Sequence, residues 1–240
     1  IIVIKRNGLH DLYRYKKNKS EDMLNVLRKL NHKLWIPYQV AHEFYDNRPS
    51  VILSQTKSVD DAIEAIKKAS LSAEETINKV IRKHHPHINK INLIDAIKEK
   101  LTEIIDDLEK QKKENAYSIY NDEILDEVTS IFDGKVGDNY TKEELNAVYK
   151  NGKERYSKKI PPGYMDEIGP NKKKGDKIYG DLVVWKQTID HAKKINQPII
   201  LITNDTKEDW WWIVHGKTII PRPELIKEIK DEAGDRKSVV

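Results

Sequence analysis

Two short runs of apolar, mostly β-branched residues constrain this chain more than any other feature. Residues 1–4 read Ile-Ile-Val-Ile, and residues 199–202 read Ile-Ile-Leu-Ile. Neither run alternates with polar residues, so each predicts a strand that is buried on both faces, as in a parallel sheet. The second run stops at Thr203-Asn204-Asp205. This stop is either a surface turn, where Asn and Asp are common, or a site at the carboxyl-terminal edge of the sheet.

Helical patterns alternate with the strand-like runs. Strands that alternate with helices predict an α/β fold with a mainly parallel central sheet and helices on both faces. No apolar run approaches the length of a membrane-spanning helix, so we expect no membrane segment and a cytoplasmic location. Between the two runs we predict a helix over 20–30 with Ser20 as its N-cap, a strand over 34–36 and a helix that begins after Pro37. A further helix is predicted over 179–194. After the second run we predict a strand over 218–220 and a helix that begins at Pro223.

Residues 51–156 differ in composition from the rest of the chain. They are rich in Lys, Glu, Ile and Asn and carry helical periodicity without a convincing strand. We expect a break near 70–72, two antiparallel helices, and a capping box formed by Thr141 and Glu144. The chain is therefore predicted to be a single domain over 1–240, with a core of 1–50 and 157–240 and a long α-helical insertion over about 51–156.

Composition excludes several classes of protein. The chain has no cysteine, which rules out disulfides and thiolate metal sites, and its net charge of +4 is compatible with a polyanionic partner. It has no glycine-rich phosphate loop of an NTPase or dinucleotide enzyme. It also lacks the nucleophile elbow of a serine hydrolase.

Three carboxylates stand where predicted elements begin or end. Glu43 follows the second strand, Asp181 lies in the first turn of a helix, and Asp205 follows the strand at 199–202. Parallel strands would bring them to one edge, where clustered carboxylates repel each other unless a cation neutralises them. Mg²⁺ or Mn²⁺ suits such oxygen ligands. Alone, Asp181 could favour the helix dipole, Glu43 could pair with an arginine such as Arg48, and Asp205 could be a turn residue.

Several longer segments resemble the PIN-like nuclease family, in particular its large bacterial branch with a helical insertion. The resemblance implies a Rossmann-like PIN fold, a divalent-metal site and hydrolysis of phosphodiester bonds, typically in RNA. The segments that carry it are "DLYRY" (11–15), "LWIPYQVAHEFYDNR" (34–48), "GKERYSKKIPPGY" (152–164), "YGDLVVWKQ" (179–187), "ITNDTKEDWW" (202–211) and "PRPELI" (221–226).

The resemblance also assigns site residues. It places Glu43, Asp181 and Asp205 on the catalytic and metal-binding positions, with Asp209 as an accessory metal ligand. Asn7 falls on the polar residue that follows the acid of the first strand. That acid itself is missing, because Lys5 stands where the family has an Asp, and a protonated lysine cannot bind a cation.

Substrate contacts are expected from nearby basic and aromatic residues. Lys177 and Lys207 are candidates to hold flanking phosphates. Tyr164 could stack on an exposed base, although a buried packing role is the alternative. Lys5 itself could contact a phosphate if no metal binds.

These features favour a Mg²⁺- or Mn²⁺-dependent endoribonuclease, with a toxin or antiphage-defence role by analogy. The first alternative is a catalytically degenerate PIN-like module that binds nucleic acid, because of Lys5. A further alternative is a single-strand or flap DNA nuclease. The partner is nucleic acid in each case, RNA before DNA, and a homo-oligomer or a larger defence complex is left open.

Overall fold

The structure is a computed structural model that describes residues 1–81, 90–169 and 172–234. It contains two compact units, one of residues 1–48 and 123–240 and one of residues 49–122. The strands are β1 (Ile2–Ile4), β2 (Leu34–Trp35), β3 (Ile200–Ile202), β4 (Trp211–Val214) and β5 (Lys217–Pro221). The α-helices are α1 (Arg6–Arg14), α2 (Lys17–Lys29), α3 (Tyr38–Val80), α4 (Lys90–Glu114), α5 (Glu123–Phe132), α6 (Lys142–Ser157), α7 (Met165–Ile168), α8 (Gly180–Ile195) and α9 (Pro223–Ala233).

The first unit is built on a parallel three-stranded sheet in the order β2-β1-β3. Ile2 lies opposite both Leu34 and Ile200, so the opening run of the chain forms the central strand. Val3 and Ile4 are buried, which explains why that run contains no polar residue. The predicted mixed α/β fold with parallel strands is confirmed, although the sheet is small.

A second, antiparallel sheet consists of β4 and β5. The sequence predicted β5 but not β4, because the tryptophans of 210–212 resembled packing residues. Trp210 does pack in the core with Val3, Trp185 and Leu201. Trp212, by contrast, is 48% exposed on β4.

Near the N-terminus one helix was not predicted and one cap was predicted wrongly. Helix α1, which begins directly after Lys5, was not expected. Ser20 is not an N-cap, since α2 begins at Lys17 and the Ser20 hydroxyl donates a hydrogen bond to the carbonyl of Leu12. The serine therefore connects α2 to the preceding helix.

The second unit, 49–122, contains helical segments that run antiparallel. Lys112 pairs with Asp60, and Lys98 pairs with Glu74, so the order of partners reverses between the two segments. The predicted break at 70–72 is wrong, because α3 is continuous to Val80. Among the described residues, none of the helices combines the length and the hydrophobicity that a membrane span requires.

The separate helical unit is shorter than the insertion expected over 51–156. Helices α5 and α6 belong to the first unit, where Arg28 on α2 bonds Glu127 on α5. The capping box of Thr141 and Glu144 at the start of α6 is confirmed.

Candidate functional site

A pocket of about 290 Å³ lies in the first unit, beside the residues that follow β1 and β3. Its acidic side chains come from α3, α7, α8 and the loop after β3. The acids that line it are Glu43, Asp166, Asp181 and Asp205; the bases are Lys5, Arg6, Lys173 and Lys207; and the neutral polar residues are Asn7, Asn204 and Thr206. The structure thus brings together the three carboxylates that the sequence placed at one edge of the sheet.

Glu43 lies on α3 and is held by two donors. Arg6 Nη1 donates to its Oε2 at 2.6 Å, and Gln39 Nε2 donates to its Oε1 at 2.8 Å. The alternative in which Glu43 pairs with an arginine named Arg48; the arginine that donates here is Arg6, at the start of α1. The Glu43 carboxylate is therefore neutralised by a residue adjacent to Lys5.

Asp181 lies in the first turn of α8. Its Oδ1 is 3.1 Å from the Nζ of Lys5, and its Oδ2 accepts hydrogen bonds from Trp210 Nε1 at 3.2 Å and from Lys207 Nζ at 3.3 Å. Burial disfavours the charged carboxylate, but the ammonium groups of Lys5 and Lys207 outweigh burial and hold its pKa well below the usual range. Asp181 is therefore ionised.

Asp205 is both a turn residue and a residue of the pocket, the two alternatives that the sequence left open. Its Oδ1 accepts a hydrogen bond from the backbone N–H of Lys207 at 3.1 Å, which is a local turn contact. Its Oδ2 lies 3.5 Å from the Nζ of Lys5 and 3.5 Å from the Nζ of Lys207. The turn thus directs the second oxygen of Asp205 towards both ammonium groups.

Lys5 lies between these two carboxylates. Its side chain is 4% exposed, and its Nζ also lies 3.7 Å from the centroid of the Trp210 ring. An ammonium group can be buried this deeply when opposite charges and an aromatic face replace its water. Because Lys207 contacts the same pair, two ammonium groups bridge Asp181 and Asp205.

Sequence reasoning missed Asp166, on α7. Asp166 is buried and pairs with Lys207 at 2.8 Å and with Lys173 at 2.5 Å. Burial alone would lower the pKa of Lys207, but Asp181, Asp166 and Asp205 raise it above its usual value. The surrounding Pro/Gly/Lys-rich segment resembled a loop, and nothing in it distinguishes Asp166 from an exposed acid.

Asp209, the predicted accessory ligand, lies outside the pocket lining. It is fully buried, and its Oδ2 accepts hydrogen bonds from the backbone N–H groups of Gly163 and Met165 at 3.1 and 2.9 Å. Burial raises the pKa of Asp209 to about 6. In this arrangement Asp209 joins the segment around Gly163 to the segment before β4.

The predicted substrate contacts divide into two groups. Asn7, Lys5 and Lys207 line the pocket. Lys177 is exposed on a short 3-10 helix (Gly175–Tyr179) and does not line it. Tyr164 is 3% exposed and its hydroxyl donates to Glu208 at 3.2 Å, while burial raises its pKa to about 12. Tyr164 therefore offers no free face for a base.

The charges of the pocket can be tested for a divalent metal. Each acid that lines it is paired: Glu43 with Arg6, and the three aspartates with lysines. The four bases that line the pocket balance its four acids, so a divalent ion meets no net negative charge there, and each ammonium group about 4 Å away would repel it by roughly 8 kcal/mol at an effective dielectric constant of about 20. Over residues 1–81, 90–169 and 172–234, no group of three or more His, Cys, Asp or Glu side chains could hold a metal ion. The arrangement does not fit the expected ion.

The parallel sheet and the charged pocket beside it define an α/β domain of a class with its chemistry at the carboxyl ends of strands. A family model described as "PIN like domain" matches residues 1–225, so the chain belongs to the PIN-like domain family. PIN domains are generally nucleases that act on nucleic acids, typically with divalent metals. No curated protein and no solved structure matches the chain.

Proposed function

We propose that this chain is a PIN-like domain of Rossmann-like fold that binds nucleic acid, RNA before DNA, at the pocket beside β1 and β3, without metal-dependent hydrolysis. The observation that carries the proposal is the position of Lys5, between Asp181 and Asp205 in a family whose members act on nucleic acids. The preference for RNA comes from the resemblance of the sequence to the nuclease branch.

The basic side chains of the pocket support contact with a phosphodiester. Lys207 is 32% exposed and Arg6 is 27% exposed, so both can reach a phosphate oxygen from the wall of the pocket. Asn7 adds an amide donor at the pocket, whereas the amide of Asn204 already donates to Asp11. We infer that the backbone of a single strand lies across these groups and that Lys5 remains beneath them as a fixed positive charge.

A second candidate is the Mg²⁺- or Mn²⁺-dependent endoribonuclease, with Glu43, Asp181 and Asp205 as catalytic residues. The convergence of these three carboxylates on one pocket favours it. It requires that the ion compete successfully with Lys5. A toxin or antiphage-defence role belongs to this candidate by analogy with the family. A cytoplasmic location and a homo-oligomer or larger defence complex stay predictions from the sequence.

One set of measurements separates the candidates. Labelled single-stranded RNA, single-stranded DNA and forked DNA are incubated with the protein in EDTA and, separately, in MnCl₂. Binding is measured by fluorescence anisotropy and cleavage on denaturing gels. The proposal expects RNA to bind equally in both buffers and to remain intact.

Three outcomes would contradict the proposal. Cleavage of RNA in MnCl₂ that is lost in Asp181→Asn and Asp205→Asn, with folding intact, would establish the metal-dependent ribonuclease. Binding or cleavage of forked DNA in preference to every RNA would favour the DNA nuclease instead. Absence of binding to all three ligands would exclude the pocket as a nucleic-acid site.

A further inference from the structure

We propose that Lys5 is the resident counter-ion of the pocket: its ammonium group occupies the space between Asp181 and Asp205 and keeps divalent metal ions out. The inference concerns the pocket of the proposed function, but it rests on the charges of the protein alone. It assigns Lys5 a role in holding the carboxylates together when neither metal nor nucleic acid is bound.

The first argument is the enclosure of Lys5. Its side chain is 4% exposed, against 32% for Lys207. A lysine at the rim can turn towards water and leave its partners to an incoming ion. Lys5 cannot do so without opening the pocket, because the ring of Trp210 lies 3.7 Å from its Nζ.

The second argument is the distribution of contacts. The Nζ of Lys5 is 3.1 Å from Asp181 and 3.5 Å from Asp205, so one cation serves two carboxylates from different elements. Two carboxylates this close to one point, one of them buried and the other largely so, would repel each other in the absence of a cation. Lys5 therefore supplies the neutralisation that a bound ion would otherwise supply.

The third argument concerns what a single substitution would change. Lys5→Asp removes the enclosed positive charge and adds a carboxylate beside Asp181 and Asp205. Three carboxylates in one place form an oxygen site of the kind that hard divalent ions occupy. The inference therefore predicts that the wild-type protein excludes Mn²⁺ and that this substitution admits it.

The test uses Mn²⁺ alone as the probe. Isothermal titration calorimetry and the loss of the free-Mn²⁺ electron paramagnetic resonance signal are recorded for the full wild-type chain, for Lys5→Asp and for Lys150→Asp. Lys150 is an exposed residue of α6, so its variant makes the same change of charge away from the pocket. We expect no saturable uptake by the wild type or Lys150→Asp, and saturable binding by Lys5→Asp that is at least about tenfold tighter than any residual uptake by the other two.

Thermal unfolding provides a second readout in case Lys5→Asp folds poorly. Mn²⁺ should raise the Tm of Lys5→Asp and leave that of the wild type unchanged, because an ion stabilises only the state that binds it. Lys5→Met, which removes the charge but keeps an unbranched chain, should lower the Tm in EDTA.

Saturable Mn²⁺ binding by the wild type would overturn the inference. An unchanged Tm for Lys5→Met in EDTA would overturn it as well, since Lys5 would then contribute nothing to holding the carboxylates. If the proposed function is wrong but this inference is right, the protein will not bind nucleic acid and will still exclude Mn²⁺.

Discussion

The indole N–H of Trp210 donates a hydrogen bond to Oδ2 of Asp181 at 3.2 Å. The ring of the same tryptophan faces the ammonium group of Lys5, which pairs with Oδ1 of Asp181. One buried aromatic residue thus fixes both members of an ion pair. Because Trp210 is 1% exposed and packs in the hydrophobic core, it connects that core to the charges of the pocket.

Trp210→Phe tests this link. The substitution keeps an aromatic ring but removes the donor to Asp181. We expect the free energy of unfolding to fall by at least about 2 kcal/mol, because a hydrogen bond to a charged group contributes about that much and the smaller ring also loses packing in the core. Urea denaturation measures it, with Trp212→Phe as the matched control, because Trp212 is 48% exposed and should change little. Equal values for the two variants would show that the indole N–H contributes nothing.

Asp181→Asn distinguishes a lysine-filled pocket from a cluster of repelling acids. Removing this charge leaves the enclosed Lys5 with Asp205 as its remaining close carboxylate. We expect a loss of about 3 kcal/mol in the free energy of unfolding, measured in EDTA, as for a broken buried ion pair. If the carboxylates instead repel each other, the variant will be as stable as the wild type or more stable.

A double-mutant cycle measures the coupling free energy between Lys5 and Asp181 from the free energies of unfolding of the variants. Lys5→Met and Asp181→Asn together should cost less than the sum of the single changes, because neither charge is then left buried alone. Asp133→Asn, at an exposed acid of the same unit, is the control for the loss of one negative charge.

The buried histidine His10 should make the free energy of unfolding depend on pH. Burial lowers the pKa of His10 to about 4, and its ring stacks on Phe44. The unfolded chain takes up this proton near pH 6.5, whereas the folded chain takes it up only near pH 4. The folded state therefore has its full stability relative to the unfolded state above pH 6.5 and loses roughly 3 kcal/mol of it as the pH falls towards 4.

His10→Leu should remove this part of the acid sensitivity. Urea denaturation between pH 4 and 7 measures the slope of stability against pH for the variant and the wild type. His32→Leu changes an exposed histidine and should keep the wild-type slope. A wild-type slope in His10→Leu would mean that other groups account for the loss in acid.

Lys207→Ala tests the phosphate contact of the proposed function. Lys207 is the partly exposed cation that Asp166, Asp181 and Asp205 surround. Its loss should weaken RNA binding roughly tenfold, as expected for one charge-assisted hydrogen bond. It should also reduce the slope of log K against log salt by about 1. Fluorescence anisotropy at several salt concentrations measures both.

Lys150→Ala serves as the control for Lys207→Ala, because Lys150 is exposed on α6 and does not line the pocket. Its affinity and salt slope should match those of the wild type. An unchanged affinity in Lys207→Ala would place the phosphate elsewhere.

The sequence alone determined several local elements of this fold, although not α1 or β4. Apolar runs identified β1 and β3, and the Thr141–Glu144 spacing identified the start of α6. These features depend on residues a few positions apart, so their physics is contained in a short window. The rule that parallel strands end at one edge then brought Glu43, Asp181 and Asp205 to one pocket.

The tertiary structure decided how those carboxylates are neutralised. The sequence showed Lys5 at the end of β1, but it could not show that its ammonium group lies against Trp210 and both aspartates. Nor could it show that Asp166 enters the pocket or that Tyr164 turns away from it. The partner of a buried charge depends on which distant segments converge around it, and those contacts exist only once β3 has paired with β1.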